Sequence, residues 1–358
     1  MTIAPSTSAV GRLPRAPAPT RVRGAGARSS LLIVLAGVLA VTVVGSLAVG
    51  ARYIPPGEVV RTLIDAAQGR GSGEVYEIVV GLRLPRAFIG AAVGAALGVA
   101  GALIQALTRN PLADTGILGV NAGAGFLVTV GIGWFGVGNI QGYVWFSFAG
   151  AAAATMLVFA IGSRGPAGAT PIRLTLIGVA LGAMLSGMSS MISLLNPSVF
   201  DGMRFWGAGS LTSRDEHVLW AVLPFIAIGL VIAALVAAPL NAVALGEDLA
   251  RSLGASVVRT RVLVIVAVTL LAGAATAAAG PIAFLGLMVP HVVRWFVGPD
   301  QRWIIAYTAV CAPILLLIAD VVGRVIVPPQ ELQVGIITAF IGAPVLVLLA
   351  RRRKITGL

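Results

Sequence analysis

The chain has 358 residues, of which 58% are apolar and 11% charged, and its mean hydropathy is +0.99. Soluble domains average about 25% charged residues, so a water-facing globular surface is excluded. The formal net charge of +12 reads as a membrane-topology signal ahead of a nucleic-acid surface, because basic residues stay on the cytoplasmic side during insertion.

Residues 1–30 are rich in Arg, Pro, Ala and Ser without apolar periodicity, which predicts a disordered basic cytoplasmic tail. Leu31 to Gly50 is longer than a signal-peptide core, so it reads as a first span, with cleavage near Ala48-Val49-Gly50 as the rival. A helix needs roughly 20 apolar residues to cross about 30 Å of hydrocarbon. Ten runs meet or approach that length, near 31–50, 87–108, 115–135, 143–163, 174–195, 218–239, 262–280, 282–297, 303–319 and 332–350. They predict an all-α polytopic membrane protein with ten transmembrane helices over 31–350 and a basic cytoplasmic tail at 351–358. Uncharged runs without alternation argue against a membrane β-barrel.

The second run lies in RLPRAFIGAAVGAALGVAGALIQALTRNPLAD, residues 83–114. No charge falls between Arg86 and Arg109, and Gly90, Gly94 and Gly98 recur at every fourth position. Lipid supplies no hydrophobic force between helices, so such small faces let backbones approach and pack. This helix is expected at the centre of the bundle. Arg83 and Arg86 at its start read either as headgroup anchors or as forks for a partner's carboxylates. Beyond its end, Arg109, Asn110, Pro111 and Asp114 form a cytoplasmic loop. Pro111 can stop the helix and Asp114 cap the next, with contact to a partner or gate as the functional reading.

Polar residues inside spans are few. Gln105, Asn121, Ser189 and Ser193 could line a pathway or bond helix to helix. Met184, Met188 and Met191 recur at helical spacing, either as a pliable lining or as ordinary packing.

Asn241 to Arg261, on the cytoplasmic side, contains a short amphipathic stretch bracketed by Gly246 and Gly254. Leu245, Leu249 and Leu253 make an apolar edge. Glu247 and Asp248 sit where a helix dipole favours negative charge, and Arg251 follows. An interfacial helix on lipid headgroups and a docking surface for another protein are equally compatible with this pattern.

A shift of 179 residues places Gly94, Gly101 and Pro111 on Gly273, Gly280 and Pro290. Span alternation makes the two copies antiparallel, the inverted internal repeat common in transporters. Alternation also puts most of the 25 basic residues on the side of both termini, which is therefore assigned to the cytoplasm.

Several chemistries are excluded. No Asp, Glu or Lys falls in the middle of a predicted span, which disfavours an ion-driven secondary carrier. Lys354 is the only lysine and lies in the tail, so a phosphate-cradling ATP loop is absent. One cysteine, Cys311, and two histidines, His217 and His291, leave no metal site, disulfide framework or catalytic cluster.

The chain resembles the permease family of iron-siderophore, haem and vitamin B12 ABC importers over nearly everything after residue 30. The motifs that carry this are RLPR at 83–86, RNPLAD at 109–114, ILGVNAGA at 117–124 and LGEDLARSLG at 245–254. GPIAFLGLMVPH at 280–291, ADVVGR at 319–324 and QELQVGIITAFIGAPV at 330–345 continue it. The segments at 194–211 and 294–303 look closest to enterobactin-type members. The resemblance implies a type II importer permease in the bacterial inner membrane, translocating a ferric siderophore, with haem or cobalamin as alternative cargo. It implies no cofactor in this chain, since ATP and Mg would reside on two cytoplasmic ATPase subunits. The other implied partners are a second permease, a heterodimer being favoured, and an extracytoplasmic siderophore-binding protein. Leu245, Gly246, Glu247, Asp248, Leu249, Arg251, Leu253 and Gly254 would form the coupling segment that enters the ATPase. Arg83, Arg86 and Arg324 would dock the binding protein.

Overall fold

A computed structural model describes residues 25–351, apart from 165–169, 213–215 and 329. Of the predicted tails at 1–30 and 351–358, residues 1–24 and 352–358 lie outside the described residues.

Long apolar runs have one way to satisfy their backbone groups away from water, which is to hydrogen-bond within a helix. The described residues accordingly contain helices and no strand. In chain order they are α1 (Ala25–Ala48), α2 (Pro56–Ala67), α3 (Glu74–Tyr76), α4 (Leu84–Thr108), α5 (Val120–Phe135), α6 (Ile140–Gly162) and α7 (Pro171–Leu195). There follow α8 (Pro197–Trp206), α9 (Glu216–Ala244), α10 (Glu247–Ser252), α11 (Val257–Ala279), α12 (Leu285–Val297), α13 (Gln301–Ile326) and α14 (Val334–Arg351). A π-helical turn, Glu77–Arg83, joins α3 to α4, and a 3-10 turn, Thr115–Leu118, precedes α5.

Each predicted run coincides with a helix. Among the described residues seven helical stretches are long and apolar enough to cross a membrane, and α5, α12 and the apolar part of α14 are shorter. The brevity of α12 has a local cause. Gly280 and Phe284 both have positive φ, of 75° and 67°, so residues 280–284 are unwound and the helix starts at Leu285, later than the expected 282.

The N-terminal boundary departs from expectation, and three helices lie outside the expected elements. The disordered tail was placed through residue 30, yet α1 begins by Ala25, and its first turn is tied to α13. The Tyr307 hydroxyl donates to the Arg28 carbonyl at 2.6 Å, and the Arg28 guanidinium lies 5.8 Å from the Trp303 ring centre. Besides the single turn α3, two longer helices outside the apolar runs, α2 and α8, differ from expectation. Both start at proline, which is preorganised for a first helical turn, and α8 is also capped by the Asn196 side chain on the Ser198 amide.

The small face of α4 places it at the centre, as expected. A β-carbon added at Gly94 would stand 2.6 Å from Pro313 Cα, and one at Gly98 would overlap Ala312 and Thr308, so α13 lies directly on this face. At Gly101 it would collide with the Gly286 carbonyl, so α12 touches the next turn. Here packing between backbones does what hydrophobic burial does in water.

The ends of α4 and α11 show that the two copies of the repeat run in opposite directions. Arg109, just past α4, donates to the Val243 carbonyl close to α10. Ala279, at the far end of α11, accepts from Ser210 at 2.7 Å, and the neighbouring Leu211 packs at Gly90 near the start of α4. The matched prolines have different settings, Pro111 in a loop and Pro290 inside α12.

Candidate functional sites at the two ends of the bundle

One end carries an ionic cluster assembled from four segments. The π turn delivers Arg83, the first turn of α4 delivers Arg86, the last turns of α13 deliver Asp320 and Arg324, and the loop before α14 delivers Glu331. Arg86 binds Asp320 at two points, with Nη2 at 2.8 Å from Oδ1 and Nε at 3.1 Å from Oδ2. Its Nη1 reaches Glu331 at 2.7 Å. Arg324 pairs with Asp320 one helical turn earlier and donates to the Ser46 carbonyl at 2.9 Å. Arg83 donates to the Leu47 and Arg52 carbonyls, each at 2.6 Å. Those carbonyls lie at and after the end of α1, where a helix leaves acceptors unsatisfied.

The three arginines assigned by resemblance to docking thus meet at one end, but not as free forks. All three are under 10% exposed, and each guanidinium is engaged within the chain. The physical reason is Asp320, a carboxylate 2% exposed that needs both Arg86 and Arg324 to offset its desolvation. α13 runs past the predicted span limit of 319, which puts this acid inside the helix. Beside the cluster is a cleft of about 340 Å³ lined by Arg52, Leu82, Arg83, Arg86, Thr212 and Glu331, among others.

The opposite end carries α10. Gly246 and Gly254 have φ of 119° and 81°, the conformation that allows the chain to leave α9 and turn back into α11. Ala250 is buried with Val243 and Val257, which fixes the short helix to the bundle. Leu245, Leu249 and Leu253 are 65%, 49% and 63% exposed. Asp248 and Arg251 form an exposed pair at 3.4 Å, of little energetic weight. The Glu247 side chain lies outside the described residues. Next to α10, Asn241 bridges α9 to the start of α13, donating to Asp300 at 2.7 Å and accepting from the Gln301 amide at 2.8 Å.

RNPLAD is at the same end. α4 stops at Arg109, which adopts φ 51°, two residues before the proline expected to stop it. Asn110 accepts from the Leu112 amide at 3.0 Å, and Asp114 caps the 3-10 turn through the Gly116 amide at 3.1 Å. Burial pushes the Asp114 carboxyl above its ordinary range, and hydrogen bonds from the Gly116 and Thr115 amides oppose that.

The residues offered for a pathway separate into two groups. Gln105 is fully buried, so it lines no open space; its amide donates to the Leu287 carbonyl at 3.0 Å and accepts from Arg294 at 2.6 Å. Asn121 accepts from the Thr276 hydroxyl at 3.0 Å and so links α5 to α11. Ser189 bonds within its own helix, to Leu185 at 2.9 Å, and Ser193 is half-buried. Met184, Met188 and Met191, by contrast, lie on an exposed face of α7.

Sequence reasoning missed Asp320, Glu331 and Arg294. The first was readable, since Asp320 stands four residues before Arg324 on one helix face. Glu331 carried no such signal, being brought to Arg86 from 245 residues away.

These features define a polytopic helical membrane protein, with no metal-ligating cluster among the described residues. The FecCD transport family matches residues 38–352, and the chain belongs to it. It is a transport permease of the ABC type and not an enzyme. The chain is 48% identical over 91% of its length, and 95% of the relative's, to the ferric enterobactin transport system permease protein FepD of Escherichia coli strain K12. It is 40% identical to the Fe(3+)-citrate import system permease protein YfmD of Bacillus subtilis strain 168, covering 77% of this chain and 82% of that one. Among solved structures it is similar to a metal-chelate type ABC transporter in an inward-facing conformation, with a TM-score of 0.78 and 27% identity, covering 91% of this chain and 99% of that chain.

Proposed function

We propose that this chain is one of two permease subunits of an ATP-driven importer that passes a ferric siderophore of catecholate type into the cytoplasm. The similarity to the ferric enterobactin permease along nearly the whole of both chains carries this reading. All ten apolar helices span the membrane in it, with both termini, α10 and RNPLAD inside. The exposed edge of Leu245, Leu249 and Leu253 fits the apolar cleft of an ATPase subunit, which holds ATP and Mg. The cleft beside Arg83, Arg86 and Arg324 receives an extracytoplasmic siderophore-binding protein. The second permease is a homologue, forming a heterodimer, and the α7 methionines face the pathway between them.

Asp320 does not revive an ion-driven carrier, because two arginines already occupy it. The test is reconstitution with the ATPase, second permease and binding protein encoded nearby, followed by ATP-dependent uptake of ferric catecholates, haem and cobalamin. Uptake of ferric catecholates alone is expected. Uptake of cobalamin or haem alone overturns the cargo assignment, and uptake driven by an ion gradient without ATP overturns the class.

A further inference from the structure

We propose that Glu331 is a resident carboxylate occupying, on Arg86, the place that a docking partner's carboxylate takes, so that docking proceeds by exchange and releases the segment before α14. This rests on the docking reading above.

The two acids on Arg86 are not equivalent. Asp320 is 2% exposed and holds Arg86 by two points while also serving Arg324. Glu331 has a side chain 27% exposed, touches Arg86 through Nη1 alone and lines the open cleft. A carboxylate entering from outside therefore meets Glu331 first and can replace it without uncovering Asp320. Three arginines against two carboxylates leave the cluster one positive charge in excess, which draws a further acid in. Glu331 is a charged placeholder that keeps Arg86 satisfied while no partner is present, since a buried guanidinium without an acceptor is costly.

Its release has a structural consequence. Glu331 also accepts from the Thr212 hydroxyl at 3.2 Å, and the adjacent Leu332 amide donates to the Gly323 carbonyl at 2.9 Å. Three residues on, the Gly335 amide donates to the Gly209 carbonyl at 3.1 Å. Glu331 thus clips the segment before α14 both to α4 and to the connection between α8 and α9. Exchange at Arg86 opens that clip and lets α14 shift relative to α4, which gives docking a route to the membrane helices. Glu331 is in this sense a positioning residue.

The experiment uses the assembled transporter in nanodiscs and its binding protein, with two readouts. For Glu331→Gln, which keeps a hydrogen-bonding group without the charge, the dissociation constant of the binding protein should fall by about tenfold, the scale of one charge-assisted hydrogen bond that no longer has to be broken. In the wild-type protein, docking should accelerate amide hydrogen exchange at Leu332 and Gly335, which a purely structural Glu331 would not do. If the wild-type protein binds but Glu331→Gln binds no tighter, or if those amides become more protected, exchange is wrong while the docking reading stands. If the wild-type protein shows no saturable binding, the docking reading itself fails. A melting temperature for Glu331→Gln within a few degrees of wild type verifies that the comparison is between folded proteins.

Discussion

The Arg86 guanidinium and the Asp320 carboxylate, 234 residues apart in the chain, form a two-point ion pair with a closest approach of 2.8 Å, and both are buried. Asp320→Asn would leave Arg86 and Arg324 with insufficient counter-charge. Breaking such a pair from one side costs about 3–5 kcal/mol. A fall in the detergent melting temperature larger than that of Glu331→Gln is expected, and equal melting temperatures would count against Asp320 as the keystone.

At the other end, Gln105 is the one hydrogen-bonding partner of the Arg294 guanidinium among the described residues, and Arg294 Nε and Nη2 are buried without one. Gln105→Leu should destabilise the protein by about 3 kcal/mol, the cost of stranding a buried charged donor. Adding Arg294→Leu should recover much of the loss. Thermal melts of the single and double variants form the cycle that checks this.

The α10 edge predicts a functional loss without a structural one. Leu249→Asp and Leu253→Asp alter exposed positions, so the melting temperature should hold. Each buried leucine contributes about 1.5–3 kcal/mol to an apolar contact, so association with the ATPase subunits should weaken at least about tenfold. Co-purification and transport-coupled ATP hydrolysis measure it.

Asp114 predicts a pH dependence. Its folded-state pKa is raised from the ordinary 3.8, so the folded protein binds a proton more readily than the unfolded chain. The stability it contributes is present at low pH and declines as pH rises through the raised value. Asp114→Asn keeps a capping acceptor without that proton. Melts across pH 4 to 7 should show the variant gaining on wild type as pH increases.

Gly101→Leu would force a side chain into the Gly286 backbone. Overpacking usually costs about 1–3 kcal/mol, and a backbone obstacle places this change at the upper end or above. Poor accumulation in the membrane is expected, whereas Gly26→Leu, with open space around it, should accumulate normally.

Much of the fold was legible because hydrocarbon leaves the chain few options. Ten apolar runs located ten helices, and the fourfold glycine spacing of α4 announced its central place. The capping role of Asp114 and the turn glycines around α10 were likewise written locally. What escaped was either locally weak or distant. α2 and α8 bury only part of their surface and lack a long apolar run. The internal partners of Arg83 and Arg86 come from α1, α13 and the loop before α14, so local reading showed two arginines at a helix end and left them free. Gln105 looked like a polar lining because its partners, Arg294 and the Leu287 carbonyl, lie more than 180 residues away.

The glycine seam of α4 also has a mechanical meaning. With Pro313 and Gly286 pressed against its backbone, α4 cannot slide past α13 or α12 without lifting away from them. Those three helices must travel as a single block, a stator for the rest of the subunit. α7 leaves the face of Met184, Met188 and Met191 uncovered by the rest of this chain, so displacement between states should be read there rather than along the α4 seam.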